Sequence, residues 1–378
     1  MSDKKQKFYS TKRLNKTEAN YRIAFGERSN GKTFAGLEEI LKAYHEHGKQ
    51  GAYIRRWEDD IKPKRANTLW NGIIQDSKYW KDNFANDWDG IKFRCGCWYL
   101  YKFDEELNET YVDETPLCYA FSLSTMEHDK STSYPNVTVV VFDEFLTRRA
   151  YLTDEFVLFM NVLSTIIRHR KDVIVYMFGN TVNKTCPYFS EMGLTNIKTM
   201  KQGTIDIYKY GESELTVAVE YTKSTESSGK NSDVYFAFNN PKLQMITGGT
   251  WEMAIYPHLP IKYKPKDIIF TYFIIFEQEI LQCEIIAVSG KDLGFKGNVT
   301  FTYIHRKTTE LKDLSKDYVY CPDTSPLPTW HRRITKCSSD LDNKIVSYFM
   351  NEKVFYQDNE VGEIVRNYLM WCKSNPFI

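Results

Sequence analysis

Gly26-Glu-Arg-Ser-Asn-Gly-Lys-Thr33 decides how the first half of this chain folds. It is a complete G-x-x-x-x-G-K-T phosphate-binding loop. Tyr21-Arg-Ile-Ala-Phe25 before it reads as a short buried strand. Phe34 to His47 after it reads as a helix, with Leu37, Leu41 and Tyr44 on one face. In that setting the two glycines let the backbone wrap a polyphosphate. The loop N–H groups and the helix N-terminus then supply positive charge. Gly26, Glu27, Arg28, Ser29, Asn30, Gly31, Lys32, Thr33 and Phe34 form the expected nucleotide contact. Lys32 is placed to reach the β and γ phosphates and Thr33 to hold Mg²⁺.

Val137-Thr-Val-Val-Val-Phe-Asp-Glu144 is the second decisive stretch. A β-branched apolar run is a strand buried on both faces of a mainly parallel sheet. Asp143 at its end is expected beside the phosphate loop as the second Mg²⁺ ligand. Glu144 then polarises and orients an attacking water.

The 378 residues favour more than one domain. There are 50 Lys and Arg against 49 Asp and Glu, a net charge of +1, so any basic surface is local. No apolar run is long enough to span a membrane, and the opening Met-Ser-Asp-Lys-Lys is no signal peptide, so an intracellular protein without membrane contact is expected. The eight cysteines are scattered. Cys95-Gly-Cys97, the close pair, reads as alternating strand residues rather than half of a metal site.

Residues 1–20 are polar and basic and are expected across the surface. Strand and helix patterns then alternate: strands at Ala52–Trp57, Ile91–Phe103 and Pro116–Leu123, a helix at Asp154–Ile167, and a strand at Val173–Phe178. The second and third of those strands can form a hairpin around Asp104–Glu109. This βαβ alternation predicts a parallel sheet with helices on both faces. Ile205–Tyr210 and Leu215–Tyr221 read as a hairpin, and the polar run Thr222–Asp233 as a linker. Asp267–Phe276, Ile280–Val288 and Phe295–His305 read as strands, followed by helices at Lys344–Asn351 and Glu360–Cys372. We expect a P-loop ATPase domain over 1–204, a hairpin and linker or lid region over 205–249, and a smaller α+β domain over 250–378.

For Glu144 to act as catalytic base, an additional strand must lie between the loop strand and the Asp143 strand. The segment ending at Gly179-Asn180 is the candidate, with Asn180 at its tip facing the γ-phosphate. Asn183-Lys184-Thr185-Cys186 lacks the Asp of the guanine signature, which argues against a GTPase. A P-loop helicase or DNA-remodelling ATPase, and a small-molecule kinase, remain alternatives.

The loop Gly26–Thr33, the strand Tyr53-Ile-Arg-Arg56, the strand Val137–Glu144 and the tip Phe178-Gly-Asn-Thr181 come in the order found in viral genome-packaging ATPases. The chain resembles these terminase-type motors over its first two hundred or so residues, and is most like those of small tailed phages. The resemblance implies an α/β fold of the additional-strand, catalytic-glutamate type, followed by an RNase H or nuclease-like domain. It implies ATP-driven translocation of double-stranded DNA by a homo-oligomeric ring, a pentamer, docked on the procapsid portal in the host cytoplasm. A structural RNA is a further partner in this subgroup. ATP would then sit between neighbouring subunits, with Arg168, Arg170 and Lys130 as candidates to act in trans. Arg56, Lys62, Lys64 and Arg65 would face DNA and grip phosphates without reading sequence. Relatives that cut DNA carry an Asp in the first strand of the second domain. Ile268–Phe276 has neither Asp nor Glu, with Asp267 and Glu277 only flanking it, so a domain that binds without cutting is expected. Lys262, Lys264 and Lys266 just before this strand suit such a binding surface.

Overall fold

The structure is a computed structural model of the chain. It describes residues 8–125, 132–211, 213–223, 251, 254–277, 279–293, 296–306, 314–323, 329–336 and 339–374. Two compact units divide it, Met1–Glu252 and Met253–Ile378.

In chain order the first unit contains α1 (Lys12–Asn15), β1 (Tyr21–Gly26), α2 (Lys32–His47), β2 (Gln50–Arg55), α3 (Pro63–Ala66), α4 (Asn71–Asp76) and α5 (Lys78–Asn83). There follow β3 (Gly90–Arg94), β4 (Cys97–Asp104), β5 (Glu109–Val112), β6 (Cys118–Ser122), β7 (Val137–Asp143) and α6 (Glu155–Ile167). The unit continues with β8 (Ile174–Asn180), α7 (Pro187–Glu191), β9 (Ile205–Lys209) and β10 (Thr216–Tyr221). Its sheet runs β3-β4-β6-β2-β7-β8-β1-β10-β9, with β5 paired to β4. From β6 to β10 every neighbouring pair is parallel. Strand β8 lies between β7 and β1, where a catalytic glutamate after β7 requires it.

The β-branched run of β7 explains its central place. Val140 and Phe142 join the core under α6 and α7, with Phe159, Val162 and Tyr188. Val139 and Val141 face the opposite layer, where Leu37, Ile40 and Leu41 of α2 pack with Trp70, Trp80 and Trp98. Alternation with period two therefore buries both faces of one strand.

Several expectations need correction. The chain from Phe8 to Asn20 does not lie loosely across the surface. Tyr9, Thr11, Leu14 and Ala19 are buried, and Asn15 and Thr11 are tied to Glu39 of α2. Tyr9, Leu14 and Ala19, apolar residues five apart within a polar stretch, carried that signal. The stretch Ile91–Phe103 is two strands, because Cys95 (φ 49°) and Gly96 (φ 77°) make a tight turn. Cys95 is therefore exposed at a turn rather than alternating along a strand. The hairpin at the acidic turn joins β4 to β5, not β4 to β6. Residues 205–221 form the expected hairpin, β9–β10, but it belongs to the first unit's sheet rather than to a separate region: β10 pairs in parallel with β1, and β9 completes that edge. Thr222 is buried and accepts from Asn30 of the phosphate loop. Residues 224–250, the bulk of the expected linker, lie outside the described residues.

The second unit contains β11 (Ile268–Phe276), β12 (Glu279–Ser289), β13 (Asn298–His305), β14 (Val319–Tyr320), β15 (Trp330–His331), α8 (Asp340–Met350), β16 (Val354–Tyr356) and α9 (Asn359–Ser374). The sheet order is β15-β14-β11-β12-β13-β16. The first three strands form an antiparallel meander, and β14 returns parallel to β11. Tyr272, Ile274, Cys283 and Ile304 pack against Ile345 of α8 and Val361, Val365 and Tyr368 of α9. Ser339 caps α8 in a box with Asp342, whose other oxygen accepts from the Tyr318 and Tyr320 hydroxyls. No helix among the described residues is long and apolar enough to cross a membrane.

Candidate active site

The C-terminal ends of β1, β2, β7 and β8 bring the site together. Between β1 and α2 the chain turns through Ser29 (φ 57°) and Gly31 (φ 92°), left-handed geometry that glycine adopts freely. This aims the N-terminus of α2 into a cleft of about 500 Å³. Arg28 through Phe34 line the cleft from one side, and Asp143, Glu144, Gly179 and Asn180 from the other. Gly179 must be small, because a Cβ there would press on Phe145 and Leu146.

Lys32 is buried, and its ammonium donates to the Glu27 carbonyl at 2.6 Å and the Asn30 side-chain oxygen at 3.0 Å. Burial pulls its pKa down to about 7, against the opposing pull of Asp143 and Glu27. The Thr33 hydroxyl donates to Asp143 Oδ2 at 2.9 Å. Tyr53 of β2 donates to the same oxygen at 2.9 Å. Thr33 and Asp143 are thus already side by side, as a shared cation would require. Glu144 holds a left-handed backbone (φ 59°), and its own N–H donates to Asp143 Oδ1 at 3.0 Å. A glutamate in that conformation is strained by about 1 kcal/mol or more, a cost that collects at functional positions.

Two adjacent arginines explain how the strain is held. Arg55 donates to the Glu144 carboxylate at 2.5 Å and lies 3.5 Å from Asp143 and 3.3 Å from Asp60. Arg56 points to the other side of β2. Its guanidinium pairs with Glu155 at 2.7 Å, donates to the carbonyls of Glu144 and Phe145, and lies over the Tyr151 ring. Arg56 is only 5 % exposed, which corrects its expected DNA contact: it is a buried brace for the backbone at Glu144. Arg55 is not among the site residues that the sequence points to. Alternation carried the signal, since Arg55 ends β2, Arg56 follows it directly, and neighbours in extended chain face opposite sides.

The other expected residues fall in three places. Lys62, Lys64 and Arg65 are exposed at α3, with Lys62 paired to Asp59 and Arg65 to Asp60. Arg168 and Arg170 lie near the start of β7, whereas Asp143 ends it: Arg168 donates to the Thr132 carbonyl, and Arg170 to the carbonyls of Tyr134, Val137 and Ile166. Six residues of β7 separate those ends, on the order of 20 Å, so neither arginine reaches its own chain's loop. Lys130 lies outside the described residues. The sequence reading also missed Phe8 and Asp76, which line the cleft from distant parts of the chain.

A sequence profile described as Podovirus DNA encapsidation protein (Gp16) matches residues 99–227 of this chain. The "DNA packaging protein" of Bacillus phage B103 is 28% identical over 175 residues, 46% of this chain and 47% of that relative. The protein of the same description from Bacillus phage PZA is 24% identical over 368 residues, 94% of this chain and 95% of that one. The chain resembles the genome-packaging ATPases of small tailed phages. Two solved structures share the fold over nearly the whole length. The bacteriophage Phi-29 viral genome packaging motor assembly aligns with a TM-score of 0.57 at 19% identity, covering 98% of this chain and 100% of that one. The Phi-28 gp11 DNA packaging motor aligns with a TM-score of 0.50 at 18% identity, covering 98% of both chains. The profile match begins at β4 and runs past β10, so it takes in the Asp143–Glu144 strand but not the phosphate loop.

Proposed function

We propose that this chain hydrolyses ATP to drive double-stranded DNA into a viral procapsid, as one subunit of a ring docked on the portal in the host cytoplasm. One observation carries the reading: Lys32 and Thr33 face Asp143 and Glu144 across a single interposed strand, β8. That is the arrangement for hydrolysing a nucleoside triphosphate with water, and the relatives named for DNA packaging supply the task. Lys32 binds the β and γ phosphates, Asn180 touches the terminal phosphate or the water, and Glu144 takes the water's proton. Thr33 and Asp143 would hold Mg²⁺, which would neutralise charge on the phosphates. Arg55 holds Glu144 until that carboxylate turns to its water. The test is ATP hydrolysis by the full chain with and without blunt duplex DNA. Stimulation by duplex that fades with salt is expected. Turnover indifferent to duplex, alone and on portal-bearing capsids, would overturn the DNA-motor assignment.

The Lys32 environment gives a proton signature. A polyphosphate anion at Lys32 favours its charged form, so the pKa of about 7 rises when ATP binds. At pH 8 ATP binding should therefore take up close to one proton, and affinity should fall as pH rises above 7. Calorimetry at pH 8 in two buffers of different ionisation enthalpy reads this directly. An observed enthalpy independent of buffer would show that Lys32 is already charged.

Within the ring, Arg170 is proposed to complete the neighbour's site, since it cannot reach its own. Mixing Arg170→Ala with wild-type chains should depress activity more than in proportion to the mutant fraction. A strictly proportional loss would refute a role in trans. Pentameric assembly and contact with a structural RNA belong to the same proposal. Subunit number by native mass spectrometry, and retention of labelled RNA by the assembled ring, test them; another number or no retention refutes each.

For the second unit, the order β13-β12-β11-β14-β15 with β14 parallel to β11 supports an RNase H-like domain. Strand β11 carries no acid. Binding rather than cutting is the proposed role, and cleavage of DNA by the pure chain with Mg²⁺ or Mn²⁺ would overturn it.

A further inference from the structure

The cleft holds more than phosphate ligands. Two aromatic rings, Phe8 and Phe34, also line it. Phe34 follows Thr33 directly, so its position is fixed by the phosphate loop itself. Phe8 arrives from outside that motif. Its ring lies nearly parallel to that of Phe34, with 5.9 Å between centroids and 15° between planes.

Phe8 is held there by polar anchors rather than by a core of its own. The next residue, Tyr9, donates its backbone N–H to the Asn30 carbonyl of the loop at 2.7 Å. The Tyr9 hydroxyl donates to Glu220 at 2.9 Å, and Arg13 pairs with the other oxygen of Glu220 at 2.6 Å. Glu220 sits on β10, buried, beside the loop strand. Thr11 and Asn15 fasten the same segment to Glu39 in the middle of α2. The segment is therefore strapped to the loop, to the sheet and to the helix, and these ties position Phe8.

From these contacts we propose that Phe8, backed by Phe34, is the stacking platform for the base of the bound nucleotide. The proposal rests on the ATP reading above and adds the half of the ligand that the phosphate loop does not hold. A planar base offers a π-face to an aromatic ring, and that contact needs no hydrogen-bond code. Duplex DNA is not the occupant, because its bases are already stacked on one another. The cleft also begins at a loop built for phosphate.

The test compares two probes on the full chain with Mg²⁺: ATP, and inorganic tripolyphosphate, which lacks base and sugar. Phe8→Ala is expected to raise the Kd for ATP about ten-fold and to leave that for tripolyphosphate unchanged. Phe8→Trp should restore ATP binding. Equal losses for both probes would make Phe8 a structural prop and overturn the proposal, as would wild-type ATP affinity in Phe8→Ala. Tripolyphosphate binding also reports that the variant is folded. If the wild-type chain bound tripolyphosphate and ATP equally well, the base platform alone would fail. If it bound neither, the ATP reading would fail with it.

Discussion

Glu144→Gln should bind ATP as the wild type does and hydrolyse it about 100- to 10,000-fold more slowly, the usual yield of a positioned general base. The change is nearly isosteric and leaves the backbone braces intact, since Arg56 donates to the carbonyls of residues 144 and 145 rather than to the side chain. It removes the charge that accepts a proton and that Arg55 grips at 2.5 Å. The phosphate contacts of Lys32 and Thr33 are untouched, so affinity should change little. The check is steady-state hydrolysis beside equilibrium binding of ATP. Turnover within a few-fold of wild type would place the base elsewhere. A parallel loss of affinity would mean that residue 144 shapes the cleft instead of working in it.

The second large effect concerns stability. Arg56→Ala strands Glu155, a carboxylate only 2 % exposed that accepts from Arg56, from the Tyr188 hydroxyl and from the Leu152 N–H. Removing one partner of a buried pair costs about 3–5 kcal/mol, because the remaining charge keeps its desolvation penalty. Against a typical stability of about 5–15 kcal/mol, that is a large share. For a unit of this size the melting temperature should fall by on the order of 10 °C. Arg56→Met with Glu155→Leu should recover much of the loss, since neither charge then remains buried. Thermal unfolding of the two variants separates the cases. If the double variant is no more stable than Arg56→Ala, the damage comes from the lost carbonyl contacts at Glu144 and Phe145.

The chemistry was more legible in the sequence than its supports were. The loop Gly26–Thr33 and the strand ending Asp143-Glu144 are local patterns whose residue types match a reaction, and the structure sets them facing each other. The position of β8 between their strands followed from the same logic. Arg55 and Arg56 could not be separated by type, only by the face of β2 that each occupies, which depends on register. Glu155 and Glu220 read as ordinary helix and strand residues and Tyr188 falls in no expected element, because their partners lie far away in the chain. Phe8 was lost in a basic stretch, since a single aromatic carries no period. The turn at Cys95-Gly96 hid inside an alternating strand-like pattern because cysteine is not a usual left-handed residue. Register, long-range ion pairs and isolated anchors are the classes that a linear reading misses here.

Among the described residues, those lining the cleft come from the segments around β1, β7 and β8 and from Phe8 and Asp76, and none comes from the hairpin β4–β5. The tip of that hairpin, Glu105 to Asn108, is exposed and joins two strands at the rim of the sheet. Chemistry and scaffold are therefore separable along one sheet, and this rim is a natural anchor for a fluorophore or an affinity tag. A probe attached at Glu106 would follow a subunit through binding and turnover while leaving the reacting groups alone.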